Sequence, residues 1–390
     1  MTVISISSEV LDEVVATRRD LHAHPELAFE EVRTAGVVER RLAALGYEVR
    51  TGIAKTGVVG ILRSGRPGRT VLLRADMDAL PIEETNSLPF RSTVAGKMHA
   101  CGHDTHVAIL LGAARVLMER RAELAGTLVL CFQPAEEGKG GGREMVNAGV
   151  LGEPRVDAAF GLHISSNYPT GVIAWRPGPF FASSDSIEIT IRGRGGHGAS
   201  PHESIDPIFT AAQFITSVQQ VVSRNVSPVE PAVVTIGSIH GGTTHNVIPD
   251  SVHLLGTVRA FSAEVREAMS ERIERVLSAA CRGTGAEYDY EYLWRYPVTV
   301  NDAKETALVA EVARDLFGEG RSIQGERTMG AEDFSFFLER VPGSYFLLGA
   351  SSSPETSKPH HNASFAIDEC ALESGVQMMV ALALEAPRRS

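Results

Sequence analysis

The chain has 390 residues, enough for a large core and for two domains, and 43% of them are hydrophobic, which is typical of a globular protein rather than a disordered one. The formal net charge is −11 and there is no basic stripe, so neither nucleic acid nor a membrane surface is expected as a partner. The N-terminal segment lacks a signal-peptide pattern, no apolar run would span a bilayer, and the four cysteines are too scattered for a disulfide framework, so a cytoplasmic location is expected.

In the first half of the chain, short apolar runs alternate with amphipathic stretches, a pattern that indicates strands and helices around a parallel sheet. A helical pattern over residues 11–45 ends at Gly46. Asp104 is a candidate N-cap for a later helix. The apolar face of that helix includes Val107, Leu110, Leu111 and Leu117. The expected strands are 57–62, 70–75, 127–132 and 158–163.

The pattern changes after Pro177-Gly178-Pro179. The order that follows is strand, helix, strand, strand, helix, strand, which is the split, ferredoxin-like arrangement. From residue 301 onward the chain returns to alternating helix and strand, so the middle segment is expected to be an inserted domain. Its predicted elements are strands 186–192, 232–239, 251–261 and 286–292, with helices 205–224 and 263–281.

The densest cluster of metal-ligand side chains is MHACGHDTH, residues 98–106. Cys101 and His103 lie two residues apart and can converge on one ion where Gly102 permits a turn. A buried structural cysteine is the alternative, and three histidines beside it make that alternative the weaker one.

Further ligand types fall at the ends of other predicted strands. Glu136 and Glu137 follow the third expected strand, and there one carboxylate can bind a metal while its neighbour takes a proton. His163 ends the fourth expected strand, and His361 lies in a loop before the last helix. Each site alone is consistent with a structural or solvated residue, but together they favour a metal site. Asp76 and Asp78 close another strand, where they are expected to orient the imidazoles.

Nine stretches, which run in order through nearly the whole chain, resemble the aminoacylase and carboxypeptidase G group of di-metal peptidases. Within that group the chain is similar to the amidohydrolase branch, which includes hippurate hydrolase, plant auxin-conjugate hydrolases and N-acetyldiaminopimelate deacetylase. The matching stretches are HAHPELAFEE (22–31), RADMDALPIEE (74–84), MHACGHDTH, FQPAEEG (132–138), GLH (161–163), GRGGHGASPH (193–202), THNVIPD (244–250), MGAEDFS (329–335) and HHN (360–362).

The resemblance implies an α/β fold: a zinc-peptidase-like catalytic domain with a mixed central sheet, residues 1–182 and 298–390, plus an inserted ferredoxin-like α+β dimerisation or lid domain, residues 183–297. It also implies two divalent metal ions per subunit, with Mn or Zn expected and Co or Ni as further options. Cys101 is expected to bridge the two ions. His103 and His163 complete one metal site, and Glu137 and His361 complete the other.

The same resemblance implies the catalytic roles. Glu136 is expected to be the general base, which takes a proton from the attacking water and delivers it to the leaving amine. His197 is expected to reach the active site of a partner subunit and stabilise the oxyanion there. Asn246, Arg259 and Gly330 match substrate-binding positions, and a guanidinium suits a substrate carboxylate. The substrate is then an N-acyl-L-amino acid, and the protein is a homodimer or homotetramer formed through the inserted domain.

One departure concerns the second strand, where the wider peptidase branch has His-x-Asp. This chain has Asp76-Met77-Asp78 instead, which fits the amidohydrolase branch and leaves a direct metal contact of either aspartate open. The acyl group also stays open, and a metallo-carboxypeptidase acting on small peptides or an N-acetyldiaminopimelate deacetylase is the alternative. Two alternatives belong to other functional classes. One is a metal-free hydrolase with Cys101 as nucleophile and His103 as base, and the other is a non-catalytic binding protein.

Overall fold

A computed structural model describes residues 4–389, which form two compact units. One unit comprises the chain up to Gly178, Val300–Glu326 and the chain from Asp333 on, and the other comprises Pro179–Thr299 and Arg327–Glu332. The strands are β1 Glu48–Ile53, β2 Gly57–Arg63, β3 Thr70–Asp76, β4 Thr127–Gln133, β5 Ala158–Pro169, β6 Ile173–Trp175, β7 Gly178–Phe181, β8 Ser184–Arg192, β9 Gly196–His197, β10 Ala232–Gly241, β11 Val247–Ile248, β12 Ser251–Ala260, β13 Glu287–Tyr296, β14 Thr299–Asn301, β15 Ser322–Gln324 and β16 Gly343–Ser351. The helices are α1 Ser8–Ala23, α2 Val32–Leu45, α3 His103–Glu119, α4 Glu136–Lys139, α5 Gly141–Asn147, α6 Pro207–Asn225, α7 Ala263–Thr284, α8 Ala303–Phe317, α9 Ser335–Leu338 and α10 Ala371–Glu385.

An eight-stranded mixed sheet forms the centre of the first unit, in the order β1-β2-β4-β3-β5-β16-β6-β15. Its middle strands β4, β3, β5 and β16 are parallel, and their apolar residues are almost fully buried, as expected for a sheet covered on both faces. The parallel sheet predicted from the alternating pattern is therefore correct for the middle strands but not for the sheet as a whole. The hairpin of β1 and β2 adds antiparallel strands at one edge, which gives the mixed sheet that the resemblance implied.

The predicted helix over residues 11–45 is interrupted, because α1 ends at Ala23 and α2 begins at Val32. Pro25 follows closely after the end of α1, and proline lacks the N–H donor that a continuing helix needs. The predicted end at Gly46 is confirmed. This glycine has a φ of 87°, the left-handed conformation that commonly terminates a helix.

Helix α3 is buried along most of its length, and the predicted apolar face is confirmed. Asp104 is not its N-cap. The cap position is Gly102, and Asp104 lies in the first turn, where its carboxylate contacts Arg18 and His22 rather than the helix backbone. The carboxylate is directed away from the cap because the buried side chains of Arg18 and His22 bind it.

The second unit has a four-stranded antiparallel sheet in the order β10-β12-β8-β13. Helices α6 and α7 bury their apolar residues, among them Phe214 and Leu277, against one face of this sheet. This is the ferredoxin-like arrangement that the order of elements predicted. Among residues 4–389, none of the helices combines the length and the apolar character needed to cross a bilayer.

Candidate metal centre and catalytic residues

Cys101 and His103 approach the same site because Gly102 lies between them with a φ of 86°. A Cβ atom at this position would lie 2.5 Å from Cγ2 of Ile164, so a larger residue is excluded by both conformation and space. The turn directs the thiol and the imidazole into the region beyond the ends of β3 and β4. Ligand sites in open α/β sheets commonly lie at these carboxyl ends.

Two groups of candidate ligands share the thiol of Cys101. Cys101, His103 and His163 form one group, and Cys101, Glu137 and His361 form the other, with the ligand atoms of each group within 4.8 Å of one another. Sγ of Cys101 lies 3.4 Å from Nε2 of His163, and Nε2 of His361 lies 3.1 Å from Oε1 of Glu137. The five residues predicted from the sequence therefore converge. The expectation that His163 ends its strand is wrong, because β5 continues to Pro169.

The two imidazoles of the first group are oriented by backbone carbonyls. Nδ1 of His103 lies 2.9 Å from the carbonyl oxygen of Asp78, and Nδ1 of His163 lies 2.6 Å from that of Ile164. A carbonyl only accepts, so Nδ1 carries a proton in each ring, and Nε2 is the nitrogen that remains available to a metal ion. Nε2 of His103 is buried and has no hydrogen-bond partner among residues 4–389. Both rings thus present the atom that a metal ion would bind.

The charges of the site also fit a cation. Burial and the nearby carboxylates of Glu137, Glu136 and Asp76 raise the pKa of the Cys101 thiol. Burial alone would lower the pKa of His103, but Asp76, Asp78 and Glu137 outweigh it and raise that pKa to about 10. Acidic groups packed this closely need positive charge among them, and thiolate, imidazole and carboxylate together are suitable donors for zinc and related divalent ions.

Asp78 fixes the backbone that carries the two adjacent glutamates. Its carboxylate oxygens accept hydrogen bonds from the backbone N–H groups of Glu136 and Glu137, each at 3.0 Å. The side chain of Glu136 is buried, and its carboxylate belongs to a group with His103 and Glu137 within 4.8 Å. Asp78 therefore contacts both glutamates through its carboxylate and His103 through its backbone carbonyl. It belongs to neither of the two ligand groups that contain Cys101.

Asp76 forms a further candidate ligand group with His103 and His106, and it is also bound to protein partners. It lies 2.7 Å from the guanidinium of Arg74 and 2.5 Å from Nδ1 of His106. Burial would raise the pKa of Asp76, but Arg74, His103 and His106 hold it well below its usual range. Nε2 of His106 accepts the backbone N–H of Ile164 at 2.9 Å, so both nitrogens of that ring have partners. Asp76 and His106 therefore support the strand that carries His163.

Glu31 also supports the backbone beside Glu136, and the sequence did not indicate this role. This buried carboxylate accepts the backbone N–H of Ala135 at 2.9 Å and the hydroxyl of Thr56 at 2.5 Å. Ala135 has a φ of 55°, which is unusual for a residue with a Cβ atom. Glu31 thus holds the residue immediately before Glu136 in a strained conformation. The stretch HAHPELAFEE contains Glu31, but nothing in its sequence indicates that it contacts residues a hundred positions away.

The other predicted residues lie in the second unit. His197 is in β9, paired with Val247, and its Nδ1 accepts the backbone N–H of Ala199 at 3.0 Å, so a neutral ring carries its proton on Nε2. Asn246 is exposed, and its carbonyl oxygen accepts the N–H of Gly198. Arg259, in β12, is half-buried, its side chain has no hydrogen bond or ion pair among residues 4–389, and burial lowers its pKa. Gly330 is exposed in the segment Arg327–Glu332.

The sequence matches the profile of peptidase family M20/M25/M40 over residues 72–385. The chain belongs to this family. It is 43% identical to thermostable carboxypeptidase 2 of Saccharolobus solfataricus, over 97% of this chain and 96% of that protein. It is 41% identical to N-acetylcysteine deacetylase of Bacillus subtilis, over 95% of this chain and 96% of that protein. A solved Bacillus subtilis structure, a dinuclear metal binding peptidase from the M20 family, is similar with a TM-score of 0.85 and 37% identity, covering 98% of this chain and 99% of that one.

Family membership confirms the enzyme class expected from the sequence, a metal-dependent amidohydrolase of the peptidase type. It favours a hydrolase over a non-catalytic binding protein. The position of Cys101 within both ligand groups also favours a metal-ligand role over that of a metal-free nucleophile.

The first prediction concerns Asp78. Replacing Asp78 with Asn keeps the size of the side chain. The new amide N–H₂ group would face one of the two backbone N–H groups whose hydrogen bonds the Asp78 carboxylate accepts. We expect metal affinity or turnover to fall by about 10- to 100-fold while the protein stays folded. Metal titration and steady-state kinetics, with circular dichroism to check the fold, measure this, and wild-type affinity together with wild-type turnover would contradict it.

Proposed function

We propose that this chain hydrolyses the amide bond of N-acyl-L-amino acids and releases a carboxylic acid and a free amino acid. The observation that carries the proposal is the convergence of Cys101, His103, Glu137, His163 and His361 into two ligand groups beside Glu136. The similarity to an N-acetylcysteine deacetylase supports an N-acyl-amino acid as the substrate class.

We assign the five ligands to two divalent ions, Mn or Zn, with Co or Ni as further candidates, and Cys101 to both ions. When bound, such ions lower the pKa of water from about 15.7 toward 7 and polarise a carbonyl group. The thiolate favours a soft ion such as Zn, whereas the imidazole and carboxylate donors also suit the other three.

Glu136 is the proposed general base. Its backbone is held by Asp78 and, through Ala135, by Glu31, so its carboxylate stays beside the ligand groups. It removes a proton from the attacking water as the new C–O bond forms. It then transfers that proton to the amine nitrogen as the C–N bond breaks, and the amino acid leaves with its nitrogen protonated.

His197 is proposed to donate a hydrogen bond to the carbonyl oxygen as negative charge develops on it. The N–H of Ala199 occupies Nδ1, which leaves Nε2–H as the donor even in the neutral ring. The proposed role places this donor in the active site of a partner subunit, so it requires a dimer.

Arg259 is proposed to bind the substrate carboxylate, with Asn246 and the backbone at Gly330 beside it. A half-buried guanidinium that lacks an ion pair among the described residues is suited to an anion supplied by the substrate. A metallo-carboxypeptidase is the second candidate, because the relative with 43% identity is named a carboxypeptidase and a peptide also ends in a free carboxylate. An N-acetyldiaminopimelate deacetylase would recognise the same group.

A homodimer, with a homotetramer as the alternative, is proposed through the second unit. β10 is an edge strand ten residues long, and α6 has no charged side chain between Pro207 and Ser223 although Phe209 and other residues on this face are exposed. An unpaired edge and an uncharged helix face both favour covering by another chain.

The second prediction tests the reaction itself. Chelator-stripped protein should be inactive on N-acetyl-, N-benzoyl- and N-indoleacetyl-amino acids, and Mn or Zn should restore cleavage of at least one of them. Glu136→Gln should bind the same metal and lose about 100- to 10,000-fold in turnover, because it cannot accept the proton. Release of the free amino acid is measured by ninhydrin or mass spectrometry. Cleavage that persists without metal, or an active Glu136→Gln variant, would exclude this mechanism.

The third prediction tests His197 and the dimer together. His197→Ala should lose about 100- to 1,000-fold in turnover and still bind metal. His197→Ala and Glu136→Gln are each strongly impaired alone, but hybrid dimers of the two have one complete site. A mixture allowed to exchange subunits should therefore regain activity at up to about a quarter of its sites. If mixing restores nothing although subunits exchange, His197 does not act across subunits.

The fourth prediction concerns Arg259. Arg259→Met removes the proposed carboxylate partner and should lower kcat/KM by about 10- to 100-fold, which is the value of a charge-assisted hydrogen bond. Arg259→Lys keeps the charge but not the planar fork and should lose less. An N-acyl-amino acid amide, which has no carboxylate, is the matched control substrate and should respond little to either change. An equal loss on both substrates would argue against carboxylate binding.

A further inference from the structure

His361 is the proposed ligand whose position depends most on its surroundings. It lies between β16 and α10, outside the regular elements, and its side chain is about half exposed. Its φ of 62° is unusual for a residue with a Cβ atom, so the chain does not adopt this conformation by preference. The contacts around residues 360–365 must therefore hold it in place.

Three hydrogen bonds from two segments, residues 85–86 and Ala100, supply these contacts. The N–H of His361 donates to the carbonyl oxygen of Ala100 at 2.8 Å. The carbonyl of Ala363 accepts the N–H of Thr85 at 2.8 Å. The carbonyl of Phe365 accepts the side-chain amide of Asn86, also at 2.8 Å. Asn86 thus provides a side-chain hydrogen bond from the loop between β3 and α3 to the backbone of the His361 loop.

Asn86 is itself oriented by a buried carboxylate. Oε1 of Glu84 accepts the amide of Asn86 at 3.1 Å and faces Nε2 of His22 at 3.3 Å, and Oε2 accepts the N–H of Ser92 at 2.6 Å. Glu84 and His22 are almost completely buried. The N–H₂ group of Asn86 donates one hydrogen to the carboxylate of Glu84 and the other to the carbonyl of Phe365, so the amide has a single orientation.

The chain of hydrogen bonds ends beside the first ligand group. Nδ1 of His22 lies 2.9 Å from Oδ2 of Asp104, the residue that follows His103. Arg18, which is also buried, lies 2.8 Å from the same oxygen. Glu84, His22, Asp104 and Arg18 are all buried, and none of them belongs to either ligand group that contains Cys101 or acts in the proposed chemistry.

We propose that Asn86 is a positioning residue for His361, held by the Glu84–His22–Asp104 network, and that it determines the affinity of the ion bound by Cys101, Glu137 and His361. This inference rests on the proposed two-ion site. The other ion, bound by Cys101, His103 and His163, does not depend on Asn86, because the carbonyls of Asp78 and Ile164 orient its imidazoles.

Titration of chelator-stripped protein with Mn²⁺, followed by the electron paramagnetic resonance of the free ion, tests this. Wild-type protein should bind two ions. Asn86→Ala should bind one ion with wild-type affinity and the second about 10- to 100-fold more weakly, the usual effect of removing a support of a ligand. Its turnover should recover as the Mn²⁺ concentration is raised by the same factor, which a general loss of structure would not allow.

Two further variants complete the test. Asn147→Ala removes an exposed asparagine of α5 that has no side-chain hydrogen bond among residues 4–389 and should bind both ions as the wild type does. Asn86→Leu keeps the branched shape of the side chain without its hydrogen bonds and should reproduce Asn86→Ala if the hydrogen bonds matter. If both ions bind normally to both Asn86 variants, or if both ions weaken equally, the positioning role is wrong. If wild-type protein binds fewer than two ions, the two-ion function fails, and this inference fails with it.

Discussion

The thiol of Cys101 is the point on which the rest of the site depends. It belongs to both ligand groups, and burial together with three nearby carboxylates raises its pKa. A buried cluster of a thiol, several carboxylates and imidazoles is unfavourable unless positive charge lies among them. Binding of metal ions therefore supplies the charge that the folded arrangement requires, and metal affinity becomes part of the stability of this region.

The fold meets this requirement with supports that are themselves buried. Asp78 and Glu31 hold the backbone of the two glutamates, and Asp76 with His106 holds the strand of His163. These contacts join the ends of adjacent strands of the sheet, where side chains from distant parts of the sequence meet. His103 and His163 therefore lie on α3 and β5, whereas the loop of His361 depends on residues 84–86.

Much of the architecture could be predicted from the sequence, because periodicity reports burial directly. Strands β2 to β5 of the large sheet and the six predicted elements of the inserted unit follow from apolar runs and their spacing, whereas β16 was not predicted individually. The errors arise where a tertiary contact overrides a local signal. Aspartate is a common helix cap, but Arg18 and His22 bind the carboxylate of Asp104. The continuation of β5 beyond His163 depends on its pairing with β16.

The candidate ligands could be named because a family resemblance covers nearly the whole chain, whereas their supports could not. Glu31 contacts Ala135 across 104 positions, and His22 contacts Glu84 across 62, and no sequence pattern encodes either distance. The roles of His197, Asn246, Arg259 and Gly330 depend on substrate and on a partner subunit, so they stay proposals.

The central claim is that two ions share Cys101, and anomalous X-ray scattering from crystals of zinc-loaded protein, collected at the zinc absorption edge, tests it most directly. The account predicts two peaks, each about 2.3 Å from Sγ of Cys101, one also bound by His103 and His163 and the other by Glu137 and His361. A single peak, or a peak bound by Asp76 and His106 instead, would contradict it.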